Sequence, residues 1–370
     1  MRVGFFSPLP PARTGVADYA ASLLAELRRH GRVEVAPTRW DAALYHLGNN
    51  GLHAEIYRRA MSRPGVVVLH DAVLNHFFLG QLTETAYVDE FVYNYGEWNR
   101  ALGRDLWRAR ANSAADERYF RYPMLKRVAE RARAVVVHNP AAAASVKEHA
   151  GGARVVEIPH LFAPPALPDE GSVLRYRASL GGNPGVEPAA FLFGVFGYLR
   201  ESKRVAAVLE AFVAVRAQAP RARLLIAGQF VSTDLARAVA PMLRAPGVLR
   251  LPYLAEREFW LAARAVDACI NLRYPAAGES SGITVRMMGI GKPVLLTEAS
   301  ESAAFPEDAC LRIAPGPGER DSLRLHMVLL TSMAEVARTI GPRGAEHIAA
   351  HHRVEQIGKR YWDLLCESCT

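Results

Sequence analysis

The chain alternates short apolar runs with longer stretches whose apolar residues recur every three or four places. Residues 3–6, 43–47, 66–69 and 134–137 are runs of strand length. Between the first two, residues 14–29 place Val16, Tyr19, Leu23, Leu24 and Leu27 at helical spacing. The alternation resumes at residue 191. Strands are expected at 192–196, 224–227, 248–251, 268–272 and 294–296, and helices at 203–217, 233–243, 256–266 and 282–290. A last helical pattern covers 344–365. Strand–helix alternation predicts α/β architecture, with parallel sheets covered by helices on both faces.

Two stretches depart from this rhythm. Residues 71–133 are helical in pattern and rich in aromatics, among them Phe77, Phe78, Tyr87, Phe91, Trp98, Trp107, Tyr119 and Tyr122. Two readings stand: the packed core of a helical insertion, or an aromatic wall for an acceptor or a membrane surface. Residues 159–188 carry Pro164, Pro165, Pro168, Gly171, Gly181, Gly182, Pro184 and Gly185, the composition of a linker. The expected plan is an N-terminal domain over 1–165 with its insertion at 71–133, a linker at 166–190 and a second domain over 191–343. A C-terminal helix over 344–370 is expected to cross back to the first domain. A chain of 370 residues is long enough for two cores.

Composition adds a few limits. No apolar run reaches the length of a membrane span, and no basic-then-apolar leader opens the sequence, so a cytoplasmic protein is expected, with peripheral contact at the inner membrane face left open. The net charge of +8 is compatible with a phosphate-bearing ligand or an anionic surface, but the cations are scattered and all but five of the 45 are arginine. No nucleic-acid partner is expected. Lys203 and Lys292 stand out among the rare lysines. Cys366 and Cys369 have redox or metal spacing but no partner pair, and no His/Glu/Asp cluster has metal spacing, so neither metal nor cofactor is expected.

The chemistry concentrates in two places. Ala276-Ala277-Gly278-Glu279-Ser280-Ser281-Gly282-Ile283 joins a carboxylate to a small-residue turn at a strand-to-helix junction. Free N–H groups at a helix start attract phosphate oxygens, and a neighbouring carboxylate accepts hydroxyl hydrogens from a sugar. That pairing is what a nucleotide-sugar site needs. Gly194-Val195-Phe196-Gly197-Tyr198-Leu199-Arg200-Glu201-Ser202-Lys203-Arg204 is a strand, a glycine turn and two cations opening a helix; a cation there would neutralise a departing diphosphate. The turn lacks Gly-x-Gly-x-x-Gly, against a dehydrogenase, and no Gly-x-Ser-x-Gly elbow exists for a serine hydrolase.

These motifs resemble the family 4 glycosyltransferases. The resemblance is carried by residues 191–228 with Lys203, Pro220 and Leu224-Leu225-Ile226-Ala227-Gly228, by Val266-Asp267-Ala268-Cys269-Ile270-Asn271-Leu272, by the Glu279 region and by Gly291-Lys292-Pro293-Val294. Pro11-Ala12-Arg13-Thr14-Gly15-Val16, His70-Asp71 and Ile158-Pro159-His160 fit as well. The family implies two facing Rossmann-like domains (the GT-B fold) with a cleft between them. It also implies retaining transfer from a nucleotide-diphosphate sugar to a glycan, lipid-linked or small-molecule acceptor, without an obligatory metal.

Carried over, the resemblance makes His70 the residue facing the transferred sugar and Glu279 the holder of sugar hydroxyls, these two being the catalytic candidates. Gly15, Lys203, Arg204, Ser281, Gly282, Ile283 and Arg286 would surround the donor and its diphosphate. Tyr253 and Leu254, in the loop beginning Leu251-Pro252, would meet the base. Three departures are visible. Tyr198 stands where the family often has an arginine, leaving Arg204 or Arg200 to substitute; Thr14 replaces a glycine; and Arg286 lies near the place of a second glutamate that usually binds ribose. A same-fold nucleotide-sugar 2-epimerase and a non-catalytic nucleotide-sugar-binding protein are the alternative readings.

Overall fold

The structure, a computed structural model, describes residues 1–181, 186, 187 and 189–369. Gly182, Pro184, Gly185 and Pro188 of the expected linker lie outside the described residues. The chain divides into two compact units, each α/β. The first comprises Met1–Ala163, Pro275–Gly282 and the C-terminal segment from His351 onward; the second comprises Pro164–Tyr274 and Ile283–Ala350.

The first unit is built on six parallel strands: β1 (Arg2–Phe6), β2 (Arg32–Val35), β3 (Ala42–Leu47), β4 (Val66–Leu69), β5 (Ala134–Val137) and β6 (Val155–Glu157), in the order β2-β1-β3-β4-β5-β6. Every residue of β3, β4 and β5 is buried, as expected of parallel strands covered on both faces. The helix Gly15–His30 lies on one face. Thr14 caps it, its Oγ1 accepting from Ala17 N at 3.0 Å, so the residue read as a missing glycine performs a local task. Its buried Ala20, Leu23 and Leu27 join Leu364 and Leu365 of the helix Val354–Glu367 in one core, each fully buried leucine contributing about 2 kcal/mol.

The insertion folds as short helices, chiefly Asn75–Gln81, Glu84–Tyr95 and Arg100–Ala109. Phe77, Phe78, Tyr87, Phe91 and Tyr119 pack with Leu69 and Val137 in a core against the sheet. The first of the two readings therefore describes most of these aromatics. Trp98, 99% exposed, and Tyr93 are exceptions.

The second unit holds β7 (Leu192–Phe196), β8 (Arg223–Ala227), β9 (Val248–Leu251), β10 (Ala268–Asn271), β11 (Val294–Thr297) and β12 (Leu311–Ile313), parallel and ordered β12-β11-β10-β7-β8-β9. The direction of winding reverses between β7 and β10. In open α/β sheets such a reversal opens a crevice at the carboxyl ends of the strands. Two glycines let the backbones meet there: a Cβ on Gly228, after β8, would stand 1.8 Å from the Gly197 carbonyl oxygen.

Two expectations change. Part of the linker is a helix, Glu170–Ser179, capped by Asp169 and held by Arg177, which donates to the Ala265 carbonyl at 2.6 Å and to both carboxylate oxygens of Asp267. The single C-terminal helix is two, Ala334–His351 and Val354–Glu367. The break has a cause: the His352 carbonyl accepts from Phe162 N at 2.7 Å and Arg353 bridges Phe162, so the backbone there is committed to strand-like pairing. No helix among the described residues is long and apolar enough to cross a membrane.

Candidate functional site

In the second unit the site is built where the sheet order reverses. The turn after β7 passes through Gly197, at φ +91°, into the short helical turn Glu201–Lys203. Lys203 is 4% exposed and its Nζ donates to the Phe196 carbonyl at 2.6 Å and to Asn271 Oδ1 at 3.0 Å. Asn271 ends β10, and its Nδ2 donates to Thr284 Oγ1 at 2.7 Å, in the first turn of the helix Gly282–Gly289. One buried hydrogen-bonded chain thus ties the end of β7, the end of β10 and a helix start.

The other cations divide. Arg204, at φ +55°, directs Nε and Nη2 onto the carboxylate of buried Glu319, with Nη2–Oε2 at 2.6 Å. Arg286 lies over the rings of Phe259 and Trp260, 4.1 and 4.4 Å from their centroids, and donates to Glu256 at 2.6 Å. Arg200 is exposed, with a 6.0 Å contact to the Tyr198 ring. Lys292 donates to the carbonyls of Arg264 and Val266, at the end of the helix Glu256–Ala265, and burial lowers its pKa to about 8. Its place is to cap a helix C-terminus rather than to meet a ligand. Tyr253 is exposed and Leu254 half-buried in the loop after β9.

In the first unit the feature is a nest of histidines at the carboxyl ends of β3, β4 and β5. His70, directly after β4, is 8% exposed, and its Nε2 is 2.9 Å from Nδ1 of His46 in β3; the two rings stack 5.2 Å apart. His138 follows β5 and donates Nδ1–H to the Ile158 carbonyl at 2.9 Å. Tyr19 lies among them, its ring 4.9 Å from His70, 5.2 Å from His138 and 4.8 Å from His160, with its hydroxyl 2.9 Å from that of Tyr361. Burial, then the neighbouring histidines, holds His46 and His70 well below the usual imidazole pKa; burial lowers His53 and His138 to about 4.

The glutamate loop belongs to this unit. Asn139 Nδ2 donates to the Gly278 carbonyl and to Ser280 Oγ, both at 3.1 Å, and Ser280 Oγ donates to the His138 carbonyl. Gly278 (φ +71°) lies so close to Ala72 that a Cβ would come within 2.6 Å of the alanine methyl. Glu279 Oε2 accepts from Ala277 N at 2.7 Å, which folds the carboxylate back on its own loop. A Cβ on Gly282 would stand 3.2 Å from His160 Nε2. Gly15 opens its helix, exposed, with open space around its Cα. Ser281 and Ile283 flank Gly282, both half-buried.

Reasoning from the sequence missed His46, Tyr19 and Tyr361 as site neighbours. His46 left a trace, a polar residue inside an otherwise apolar strand; the tyrosines, at ordinary core spacing, left none. A depression of about 690 Å³ bordered by Arg2, Arg32, Arg39, Trp40 and Arg63 lies where β1, β2 and β3 begin, at the opposite ends of the strands from His70.

No family model matches the chain, and no curated protein matches it. Solved structures do. Sucrose-phosphate synthase from Thermosynechococcus elongatus is similar at 14% identity over 99% of this chain and 98% of that one, with a TM-score of 0.69. HepE from Anabaena, in complex with UDP-glucose, is similar at 15% identity over 99% and 100%, with a TM-score of 0.66. The chain has the GT-B fold. WaaG, a glycosyltransferase involved in lipopolysaccharide biosynthesis, is similar at 13% identity over 98% and 99%, with a TM-score of 0.65. At such identities it is the GT-B architecture that is shared, two Rossmann-like units in one chain.

Proposed function

We propose that the chain is a retaining glycosyltransferase, moving a sugar from a nucleotide-diphosphate sugar to an acceptor. The observation that carries this reading is the buried Lys203–Asn271 contact at the point where the second sheet reverses its order. A fixed cation there, beside a glycine turn that admits a close ligand, suits a diphosphate. Among the structural neighbours, HepE is a complex with UDP-glucose.

The roles follow from the chemistry of each group. Lys203 stabilises charge as the anomeric C–O bond to the diphosphate breaks. Arg200, exposed beside Tyr198, supplies the second phosphate cation that Arg204 and Arg286 do not, since both are engaged with glutamates. His70 meets the transferred sugar, and Glu279 accepts from its hydroxyls. The acceptor oxygen forms its bond to the anomeric carbon on the face the diphosphate leaves, and its proton passes to the departing phosphate oxygen. That route requires no protein base, in keeping with four lowered histidine pKa values in the nest. The donor nucleotide stacks near Tyr253 and Leu254. The acceptor meets the helical insertion, where Trp98 offers an exposed apolar ring that also suits peripheral contact with a membrane.

A thermal-shift screen against UDP, GDP, dTDP and CDP tests the donor side, because a ligand that binds only the fold raises its melting temperature. One nucleotide should raise it by several degrees. No shift with any of them overturns the reading. Incubation with the corresponding nucleotide sugar alone separates transfer from epimerisation: slow hydrolysis supports the transferase, and an accumulating epimer supports the alternative.

A further inference from the structure

The histidine nest has a hydrogen-bond polarity, and it determines which proton His70 shows to a ligand. His53 Nδ1 lies 2.9 Å from the His46 carbonyl and His138 Nδ1 lies 2.9 Å from the Ile158 carbonyl. A carbonyl only accepts, so both histidines carry hydrogen on Nδ1. Their Nε2 atoms are buried without a partner, as bare lone pairs.

His46 completes the set. Its Nδ1 faces His70 Nε2 at 2.9 Å, and its own Nε2 is buried without a partner. Two arrangements are possible for the neutral pair. If His70 donates, the hydrogen of His46 sits on Nε2, an orphaned N–H sealed in a fully buried strand. If His46 donates, the orphan is a lone pair, as in His53 and His138. Buried N–H groups without acceptors are the rarer and costlier case. The rings of Phe5, at 4.9 Å, and Tyr19, at 6.0 Å, pack against His46. Burial and the surrounding imidazoles oppose a doubly protonated ring.

We propose that His46 is a positioning residue that fixes His70 as the Nδ1–H tautomer, so that His70 offers the transferred sugar a hydrogen-bond donor and no lone pair. His70 Nδ1 makes no hydrogen bond within the described residues and is not among the sealed nitrogens, so that N–H is the group left for a ligand. A donor of fixed direction recognises a hydroxyl or carbonyl oxygen as acceptor. It cannot take a proton, so His70 binds and orients rather than acting as a base. This rests on the proposed donor reading for the identity of the ligand, but not for the tautomer.

The test reads the tautomer directly. Long-range 15N–1H spectra of the 15N-histidine-labelled full chain at neutral pH should show His70 with a protonated Nδ1 and an unprotonated Nε2, assigned by loss of its signals in His70→Asn. The reverse pattern overturns the proposal. His46→Asn keeps an N–H near the place of Nδ1 and should keep the His70 tautomer; His46→Leu removes it and should release His70 to the Nε2–H form. Equal spectra for the two variants overturn it too. Hydrolysis of UDP-glucose supplies the second readout: His46→Leu should lower kcat on the order of tenfold, the worth of one hydrogen bond, with His46→Asn restoring most of it. Equal loss in both variants, with melting temperatures preserved, overturns the positioning role. A wild-type protein with the expected tautomer that neither binds nor hydrolyses a nucleotide sugar counts against the donor reading alone.

Discussion

Lys203 and Gly228 make the sharpest demands on single residues. Replacing Lys203 by Met keeps an apolar stem in a buried slot and removes the charge. Turnover of the nucleotide sugar should fall at least about 100-fold, the scale of losing one charge-stabilising donor, with the far-UV spectrum unchanged. Near-normal turnover would remove Lys203 from the site. Gly228→Ala would set a methyl carbon 1.8 Å from the Gly197 carbonyl oxygen, so the turn itself must move. The cost should be at least about 3 kcal/mol in urea denaturation. At this scale the sequence singled out Lys203 as a rare lysine after a glycine turn and His70 as a polar residue closing an apolar strand. It was silent on pairing. Nothing in Arg204 or Arg286 reveals that Glu319 and Glu256 hold them, because those glutamates are distant in sequence and brought near only by the fold.

Among the elements, buried strands were the legible ones. The expected bounds of 66–69, 134–137 and 192–196 coincide with the strands observed, and so do those of 248–251, although that strand is a half-buried edge. The other edge strands were not: β2, β6 and β12 are short and half-exposed, and their mixed polar pattern carries no period. The helix Glu170–Ser179 hid among prolines and glycines, although Asp169 and Ser172 form a legible cap. Two substitutions separate local from tertiary support for it. Asp169→Ala removes one cap and should cost about 1 kcal/mol. Arg177→Ala strips Asp267 and the Ala265 carbonyl of their buried partner and should cost about 3 kcal/mol. Equal losses in chemical denaturation would mean the guanidinium does not fasten this helix.

For the whole molecule the histidine nest predicts a pH response. His46, His53, His70 and His138 all titrate below the ordinary 6.5 in the fold, first because they are buried. Below pH 6.5 the unfolded chain takes up protons that the fold refuses. Stability should therefore be complete above about pH 6.5 and decline as the pH falls toward 4, by about 1.4 kcal/mol per pH unit for each histidine. Urea midpoints at pH 7.5 and 5.5 check this, and a level profile would contradict it. The presence of two α/β units was readable from the alternation alone. The return of the C-terminal helix to the first unit was expected; what escaped was that residues 275–282 belong there too, since only tertiary contact draws them to it.

That discontinuity bears on biosynthesis. The face of the helix Gly15–His30 waits for Tyr361, Leu364 and Leu365, which are translated more than three hundred codons later. The first 163 residues cannot yield a finished domain until those later residues have been made. Until then the helix's leucines and Tyr19 stay partly uncovered and would be natural clients for nascent-chain chaperones, whereas the second unit, apart from its short detour at 275–282, is ready to close first.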